Sequence, residues 1–549
     1  MKRNNLFSGS SLFIVAFLLV ATASTAQDTT KKRSIDITSS FKPVLKDAAK
    51  INFNATPPSS DTTRPRLQYN IPNQNLVLGY VPGSLKPLAL QVDTGGNWGN
   101  ESYVKAGFGS LKTPYLEAGI SVGDGKTSGL NIYAKHISSR GKIEFQDYTN
   151  TDVALNAFYQ SSKNGEWNVR LASKQERYNR YGFQPKTISF PTDSMGIKYG
   201  TWSGRVGFHN INRTAFGLTY APEIKIDIFN DGIKNSESNT YINLPVQKFI
   251  GKNFGVEVAA EANLTRYKQG AKAAINNNFF VLSPAILFIN KNINLKAGIK
   301  PSWDNGSMKV LPTVMGEFSA ADKQVTLQAG WIGYLRKNSF QYVASLNPWI
   351  WAPGYSNNSR IIERYVGLKG SLGNHFSYST KVGFNTLFNQ PLFINDTITG
   401  KSFLVVNESK MKAIHYDGQV GYTVGEKFSL VSTVIFNKYA GLHDNEKPWG
   451  LMPMEFKTAA RLQVLKDLYV KADVTAFNSG PFASKTGRGA GNTGLDLSAG
   501  AEFAVVKNIK VWAQFNNIAN NKYEQWHQYP VYPFNFLGGI VFSFAQNNK

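Results

Sequence analysis

Cysteine is absent from this sequence of 549 residues, which excludes disulfides and thiolate metal sites. Histidine is scarce, and the six histidines show no spacing typical of a metal site or a catalytic group. Long apolar runs are scarce too, since only the first segment has one and it is too short to span a membrane as a helix. We predict no enzyme, no metal site and no cofactor. The histidines are His136, His209, His375, His415, His443 and His527.

The first segment, Met1–Ala26, has the pattern of a signal peptide. A basic start at Lys2 and Arg3 precedes an apolar centre and the small residues Ser24-Thr25-Ala26. The segment from 27 to 102 is rich in proline and turn residues and shows no sustained helix or strand period. Composition leaves two readings of it open, a periplasmic leader or a segment that enters a barrel lumen.

The dominant pattern in the rest of the chain is an alternation of apolar and polar residues. It is clearest in Phe456–Phe544, where apolar residues fall on one strand face and charged residues on the other. Alternation over about 9–11 residues is the length that a tilted transmembrane strand requires. Lipid outside and water inside would produce this arrangement. The residues that we expect to face lipid are Leu468, Val470, Val474, Val505 and Val511.

Short turns rich in glycine, asparagine and aspartate recur about every forty residues from Tyr103 onward. Ten such turns, each joining two long strands, predict an all-β transmembrane antiparallel up-and-down barrel of about 22 strands over residues 103–549. The turns are centred at residues 124, 164, 211, 252, 291, 322, 374, 426, 466 and 507.

Long loops are predicted at the opposite end of the barrel, which would be the outer end. One of them contains Trp349 and Trp351, which fit a binding surface, an aromatic belt at the membrane interface, or a loop folded inward. The predicted loops are Asn179–Thr201, Arg336–Arg360, Asn389–Met411, Ala440–Met452, Asn478–Asn492 and Ala519–Pro533.

Acidic residues are few, since 36 of them stand against 60 lysines and arginines and give a net charge of +24. This excess predicts anionic neighbours. Lipopolysaccharide phosphates, an anionic solute in the lumen and an acidic protein partner all fit, whereas nucleic acid does not fit an exported barrel. The basic residues predicted to face the lumen are Lys457, Arg461, Lys471 and Lys510.

The closing residues resemble a known family. Phe515-Asn516-Asn517-Ile518-Ala519-Asn520-Asn521-Lys522-Tyr523 and Gly538-Gly539-Ile540-Val541-Phe542-Ser543-Phe544 are similar to the last two strands of TonB-dependent receptors. The resemblance implies a 22-stranded barrel in the outer membrane of a Gram-negative bacterium, filled by an N-terminal plug and importing scarce nutrients. The segment from 27 to 102 is shorter than such a plug and carries no plug motif, so the expected protein is a receptor-like barrel without a complete plug.

Two functions follow as hypotheses. In the first, the protein acts in transport across the outer membrane, and its basic lumen handles an anionic or bulky solute. In the second, it is a non-transporting scaffold that binds periplasmic or surface protein partners within an envelope assembly. An empty lumen of 22 strands would leak. We therefore expect part of the segment from 27 to 102 to lie inside the barrel and the long loops to cover its outer mouth.

Overall fold

The computed structural model describes residues 101–320, 324–354, 357–425, 427–485 and 487–545. The predicted signal peptide, nearly all of the segment from 27 to 102, the turn centre at 322 and Glu426 lie outside these residues. Among the described residues, no helix is long and apolar enough to cross a membrane.

The described chain is built almost entirely of strands, with one short helix, α1 (Phe340–Leu346), and a single 3-10 turn at Thr192–Ser194. The strands are β1 (Glu101–Gly109), β2 (Thr113–Gly123), β3 (Ser128–Arg140), β4 (Asp147–Ser161), β5 (Gly165–Asn179), β6 (Gly196–Asn210), β7 (Leu218–Tyr220), β8 (Glu223–Asn230), β9 (Asn235–Ile250), β10 (Phe254–Gln269), β11 (Ile275–Asn276), β12 (Phe279–Ile289), β13 (Ile293–Asp304), β14 (Ser307–Ser319), β15 (Val325–Arg336), β16 (Ser359–Leu372), β17 (Phe376–Asn395), β18 (Phe403–Val424), β19 (Phe428–Ala440), β20 (Met454–Leu465), β21 (Leu468–Asn478), β22 (Phe482–Ser484), β23 (Gly487–Gly489), β24 (Thr493–Val506), β25 (Ile509–Asn516), β26 (Glu524–Trp526), β27 (Tyr529–Pro530) and β28 (Asn535–Ala545).

Twenty-two of these strands form a closed antiparallel barrel, as predicted. The last strand pairs with the first, with Val104 opposite Phe542 and Ala106 opposite Ile540, so the sheet has no free edge. The short strands β7 and β11 extend the ladders of β9 and β10, while β22–β23 and β26–β27 are small hairpins within long loops.

The two faces of the wall differ as the alternation predicts. Val470 lies directly opposite Leu462, which is exposed on the outer face, and Val505 and Val511 are exposed there as well. Leu468 and Val474 share this face, because their cross-strand partners are the exposed Phe503 and the half-buried Leu497 of the same apolar row. The outward orientation predicted for the five apolar residues is confirmed.

Placing arginine at Val470 should destabilise the barrel by roughly 2–4 kcal/mol, because a charge on the lipid face near the midplane loses its hydration. The free energy of unfolding in lipid vesicles, measured by urea titration, is the readout. Thr475→Arg is the matched control, because Thr475 lies on the inner face of the same strand, opposite Lys457. An equal loss of unfolding free energy in the Val470→Arg and Thr475→Arg variants would contradict the assigned orientation.

Two predicted loops were wrong in their bounds. The chain that was predicted as a loop at Asn389–Met411 is mostly strand, since β17 runs to Asn395 and β18 begins at Phe403. Similarly, β6 begins at Gly196, inside the predicted loop Asn179–Thr201. The physical reason is packing, because Leu392, Phe393 and Phe403 are buried in the long hairpin and its neighbouring loops.

Candidate functional site

Three long loops reach the same point from widely separated parts of the wall. They connect β5 to β6, β15 to β16, and β25 to β28, and around the closed ring they stand eight, eight and six barrel strands apart. A ring of 22 tilted strands spaced about 4.8 Å apart has a radius of roughly 20 Å. Loops that start so far apart can touch only over the centre of the mouth.

The contact between these loops is a cluster of three aromatic rings, Tyr181, Trp349 and Tyr529, which we call the aromatic junction. The ring centroids of Trp349 and Tyr529 are 4.2 Å apart, those of Tyr181 and Tyr529 are 4.8 Å apart, and those of Tyr181 and Trp349 are 5.9 Å apart. The three residues are 6 %, 9 % and 2 % exposed in chain order. Such separations are typical of favourable aromatic pairs. The junction therefore joins the three loops across the mouth.

Hydrogen bonds fix the same loops. The indole Nε1 of Trp349 donates to the carbonyl oxygen of Asn179 at 3.0 Å, and the Tyr181 hydroxyl donates to the carbonyl oxygen of Pro530 at 3.0 Å. The guanidinium Nε of Arg180 donates to Ser402 Oγ at 3.0 Å, which attaches the loop between β17 and β18. We call these four loops, 180–195, 337–358, 396–402 and 517–534, the loop lid.

Helix α1 anchors the loop between β15 and β16 to the wall. Its N-cap residue, Ser339, accepts a hydrogen bond from the backbone N–H of Tyr342 at 3.1 Å. The Glu237 carboxylate accepts from the backbone N–H groups of Phe340 and Gln341 at 2.6 and 3.1 Å. A negative charge is favourable at a helix N-terminus. This loop is thus folded inward, which was one of the three readings of its tryptophan pair.

A cavity of about 80 Å³ lies between α1, the wall and the loop between β19 and β20. Its lining is mainly apolar, with Leu346, Leu387 and Leu451, and includes the polar Asn385 and Asn437. Ligand pockets usually measure about 300–1,000 Å³. In the closed arrangement of the lid, this cavity is therefore too small for a bulky solute.

The four basic residues that the sequence assigns to the lumen lie on the inner faces of β20, β21 and β25. Lys510 Nζ is 3.2 Å from Glu502 Oε1, and Lys457 Nζ is 2.8 Å from Glu455 Oε1. Arg461 lies over the ring of Tyr469 at 4.8 Å, and Lys471 is its direct cross-strand neighbour. The structure brings Arg461 and Lys471 together and gives the two lysines, 457 and 510, acidic partners. Their role toward an anionic solute stays a prediction.

The inner wall carries acidic partners that the sequence reasoning missed. Eight Lys or Arg side chains on the strands form ion pairs with Asp or Glu on this face. Three of these pairs join residues that are two positions apart on one strand, so they can be recognised from the sequence. The other five join residues on different strands, and they can be recognised only when the register of strand pairing is known. The pairs are Lys174–Glu176, Arg205–Glu223, Lys225–Asp227, Lys296–Glu257, Lys369–Glu317, Lys381–Glu363, Lys457–Glu455 and Lys510–Glu502.

A serine within β18, Ser409, meets a histidine and an aspartate of the loop between β19 and β20. His443 Nδ1 is 2.7 Å from Asp444 Oδ1 and 3.3 Å from Ser409 Oγ. In a catalytic triad, the aspartate and the serine engage opposite nitrogens of the imidazole. Here both contact the same nitrogen, and the histidine side chain is 72 % exposed. The group attaches a loop to β18 and lacks the geometry of a triad.

The pKa values of this loop group give a further prediction. The hydrogen bond to Asp444 raises the pKa of His443, while hydrogen bonds from Ser409 and His443 lower the pKa of Asp444 to about 2. Asp444→Asn should return the pKa of His443 toward its ordinary value, as NMR titration would measure. Protonated His443 stabilises the loop contact. This stabilisation is fully present at a pH below the ordinary histidine pKa, and it is lost as the pH rises through the raised pKa of His443.

Glu446→Gln is the control for this titration, because Glu446 is an exposed acid on the same loop that pairs with Arg488. An unchanged histidine pKa in Asp444→Asn would contradict the assigned contact. Within the described residues, no group of three His, Asp or Glu side chains is placed to hold a metal ion.

These features define a closed transmembrane barrel with a polar, ion-paired lumen and long loops folded over one end. Solved structures with the same fold include the siderophore receptor PirA from Acinetobacter baumannii, with a TM-score of 0.61, 10 % identity, and coverage of 81 % of this chain and 80 % of that one. The FrpB iron transporter from Neisseria meningitidis (F5-1 variant) has a TM-score of 0.62 and 9 % identity, with 82 % of each chain covered.

The copper transporter OprC also shares the fold, with a TM-score of 0.57, 11 % identity, and coverage of 84 % of this chain and 81 % of that one. At these identities the likeness shows the fold alone. It confirms the barrel that the resemblance to TonB-dependent receptors implies. Neither a protein-family model nor a curated protein matches the sequence.

Proposed function

We propose that this protein is an outer-membrane barrel of a Gram-negative bacterium that acts in transport across that membrane, with passage through the lumen controlled by the loop lid. The observation that carries the proposal is the aromatic junction, which joins three loops over the centre of a 22-strand barrel with a polar interior. A barrel of this size encloses a space wide enough for a solute. A lid that can move would decide when that space is open.

The fold supports this proposal, because it is the fold of proteins described as receptors and transporters for siderophores, iron and copper. The paired charges of the lumen add a second argument. Pairing offsets the charge of eight basic side chains and keeps the inner wall polar, which suits the passage of a polar solute. An enzymatic function has less support, because the Ser409, His443 and Asp444 group lacks triad geometry.

The test is purification of the full-length protein from native membranes, with mass spectrometry of whatever is bound. Transport predicts that the protein fractionates with the outer membrane, carries a small solute, and lets that solute enter proteoliposomes. A stoichiometric protein partner, with no bound solute and no solute entry, would contradict transport and support the scaffold hypothesis. Fractionation with the inner membrane or the cytoplasm would contradict the location.

A further inference from the structure

Basic residues outnumber acidic ones in the short turns of the barrel. The sequence places nine basic and four acidic residues in these ten turns, and twelve basic and seven acidic residues in the long loops. The eight basic side chains that the structure describes in the short turns are all exposed. They are Lys126, Lys163, Arg213, Lys252, Lys291, Lys427, Lys466 and Lys507.

Four consecutive turns contain no acidic residue at all, and their basic residues form what we call the basic arc: Lys163, Arg213, Lys252 and Lys291. Neighbouring short turns are two strands apart along the wall, which places them roughly 10 Å from each other. The charges of the arc are thus close enough to act on one layer of anions at ordinary ionic strength, where the Debye length is about 8–10 Å.

Apolar and aromatic side chains reach down to these same turns on the outer face. Ile250 and Phe254 flank Lys252 at a distance of two residues and are 63 % and 58 % exposed. Phe216, close to Arg213 in the same connection, is 81 % exposed. Such side chains are stable next to lipid and costly in water, so the turns lie at the membrane surface rather than beyond it.

Aromatic pairs strengthen this placement. Tyr159 and Trp167 are exposed cross-strand neighbours beside the turn of Lys163, and the ring centroids of Trp167 and Phe208 are 4.7 Å apart. Phe254 and Phe288 lie 5.0 Å apart at the next part of the arc. Collars of aromatic rings are typical of the headgroup layer of a bilayer. The basic arc therefore lies at the depth of the lipid phosphates.

We propose that the basic arc binds the phosphate groups of anionic phospholipids at the short-turn surface of the membrane. The inference rests on the membrane placement given under Proposed function, and it is independent of transport. Lipid fits the observations better than an acidic protein, because the exposed rings that adjoin the basic residues would be left in water by a soluble partner seated on the turns alone.

The test uses full-length protein in nanodiscs of phosphatidylcholine and phosphatidylglycerol, with the retained lipid counted by native mass spectrometry. The arc variant carries K163E, R213E, K252E and K291E. The loop variant carries K142E, K447E, K485E and K522E, which reverse the same number of charges on exposed side chains of the long loops. Each near-surface basic residue favours anionic lipid by roughly fivefold. We therefore expect at least about a fivefold loss of phosphatidylglycerol from the arc variant, and little from the loop variant.

Equal retention by the wild type and the arc variant would overturn the proposal, and so would an equal loss from both variants, which would reflect net charge alone. The arc variant could instead retain as much phosphatidylglycerol as the wild type but lose an acidic protein that co-purifies with the wild type. That result would show that the basic arc binds the acidic protein rather than lipid. Added salt should narrow the difference between the variants, since it screens exposed charges. A failure of solute entry into proteoliposomes would leave this lipid measurement unaffected, so the two proposals can fail separately.

Discussion

Replacing Trp349 and Tyr529 together with alanine will open the loop lid and raise the ionic conductance of the barrel in planar bilayers. Both rings are buried in the aromatic junction, with centroids 4.2 Å apart. Truncating one buried aromatic side chain costs roughly 3–5 kcal/mol. Because the two rings touch, their effects will not add fully. A loss of even about 3 kcal/mol shifts the ratio of open to closed lids by roughly 150-fold.

The measurement needs two backgrounds, the full-length chain and a chain lacking residues 27–63, because the sequence predicts that this segment enters the lumen. If both the segment and the lid close the barrel, conductance will be largest when the deletion and the double substitution are combined. If the deletion alone gives the full conductance, the segment is the closure and the lid is not.

Trp351→Ala is the control for the same loop. Trp351 is half-exposed and lies outside the aromatic junction, although its backbone N–H donates to the carbonyl oxygen of Phe403 at 2.9 Å. We expect its conductance to match the wild type. Equal conductance of the double variant and Trp351→Ala in both backgrounds would contradict the lid, provided that both proteins keep the gel mobility of a folded barrel.

The barrel was predictable because its signals are local. Alternation sets which face of a strand meets lipid, as at Val470 and Lys471, and glycine, asparagine or aspartate marks each short turn. Glycine 251 and glycine 373 adopt positive φ at two of these turns, a conformation that other residues adopt at a cost. Counting the turns was therefore enough to obtain 22 strands, and the closing motif pointed to the same fold.

The loop lid was not predictable in the same way, because its contacts join residues far apart in sequence. Tyr181, Trp349 and Tyr529 lie in three loops, and nothing in one loop specifies the others. The available signal was aromatic residues within loops that are otherwise polar. This signal indicates that the aromatic rings are buried, but it does not indicate which residues they contact. The same limit explains the misplaced loop at Asn389–Met411, where strand pairing continues beyond the expected end because Leu392 and Phe393 are buried.

The lumen ion pairs give the second large expected effect. Lys296 on β13 reaches across β12 to the Glu257 carboxylate on β10, and Gln247 Nε2 donates to the other oxygen of Glu257 at 2.8 Å. The side chains of Lys296 and Glu257 are only 8 % and 6 % exposed. Lys296→Met would leave a buried carboxylate without its cation. We expect a loss of roughly 3–5 kcal/mol in the free energy of unfolding, measured by urea titration in lipid vesicles.

Two comparisons separate the charge effect from a loss of packing. Adding Glu257→Gln to Lys296→Met should restore most of the stability, because the neutral amide needs no cation and can still accept the hydrogen bond from Gln247. Arg488→Met removes the cation from an exposed ion pair of the long loops, where the side chains of Arg488 and Glu446 are 66 % and 57 % exposed. Water can solvate that glutamate, so the cost should stay below about 1 kcal/mol. Similar losses at positions 488 and 296, or a double variant no more stable than Lys296→Met, would show that burial of the charge is not what makes the Lys296–Glu257 pair important.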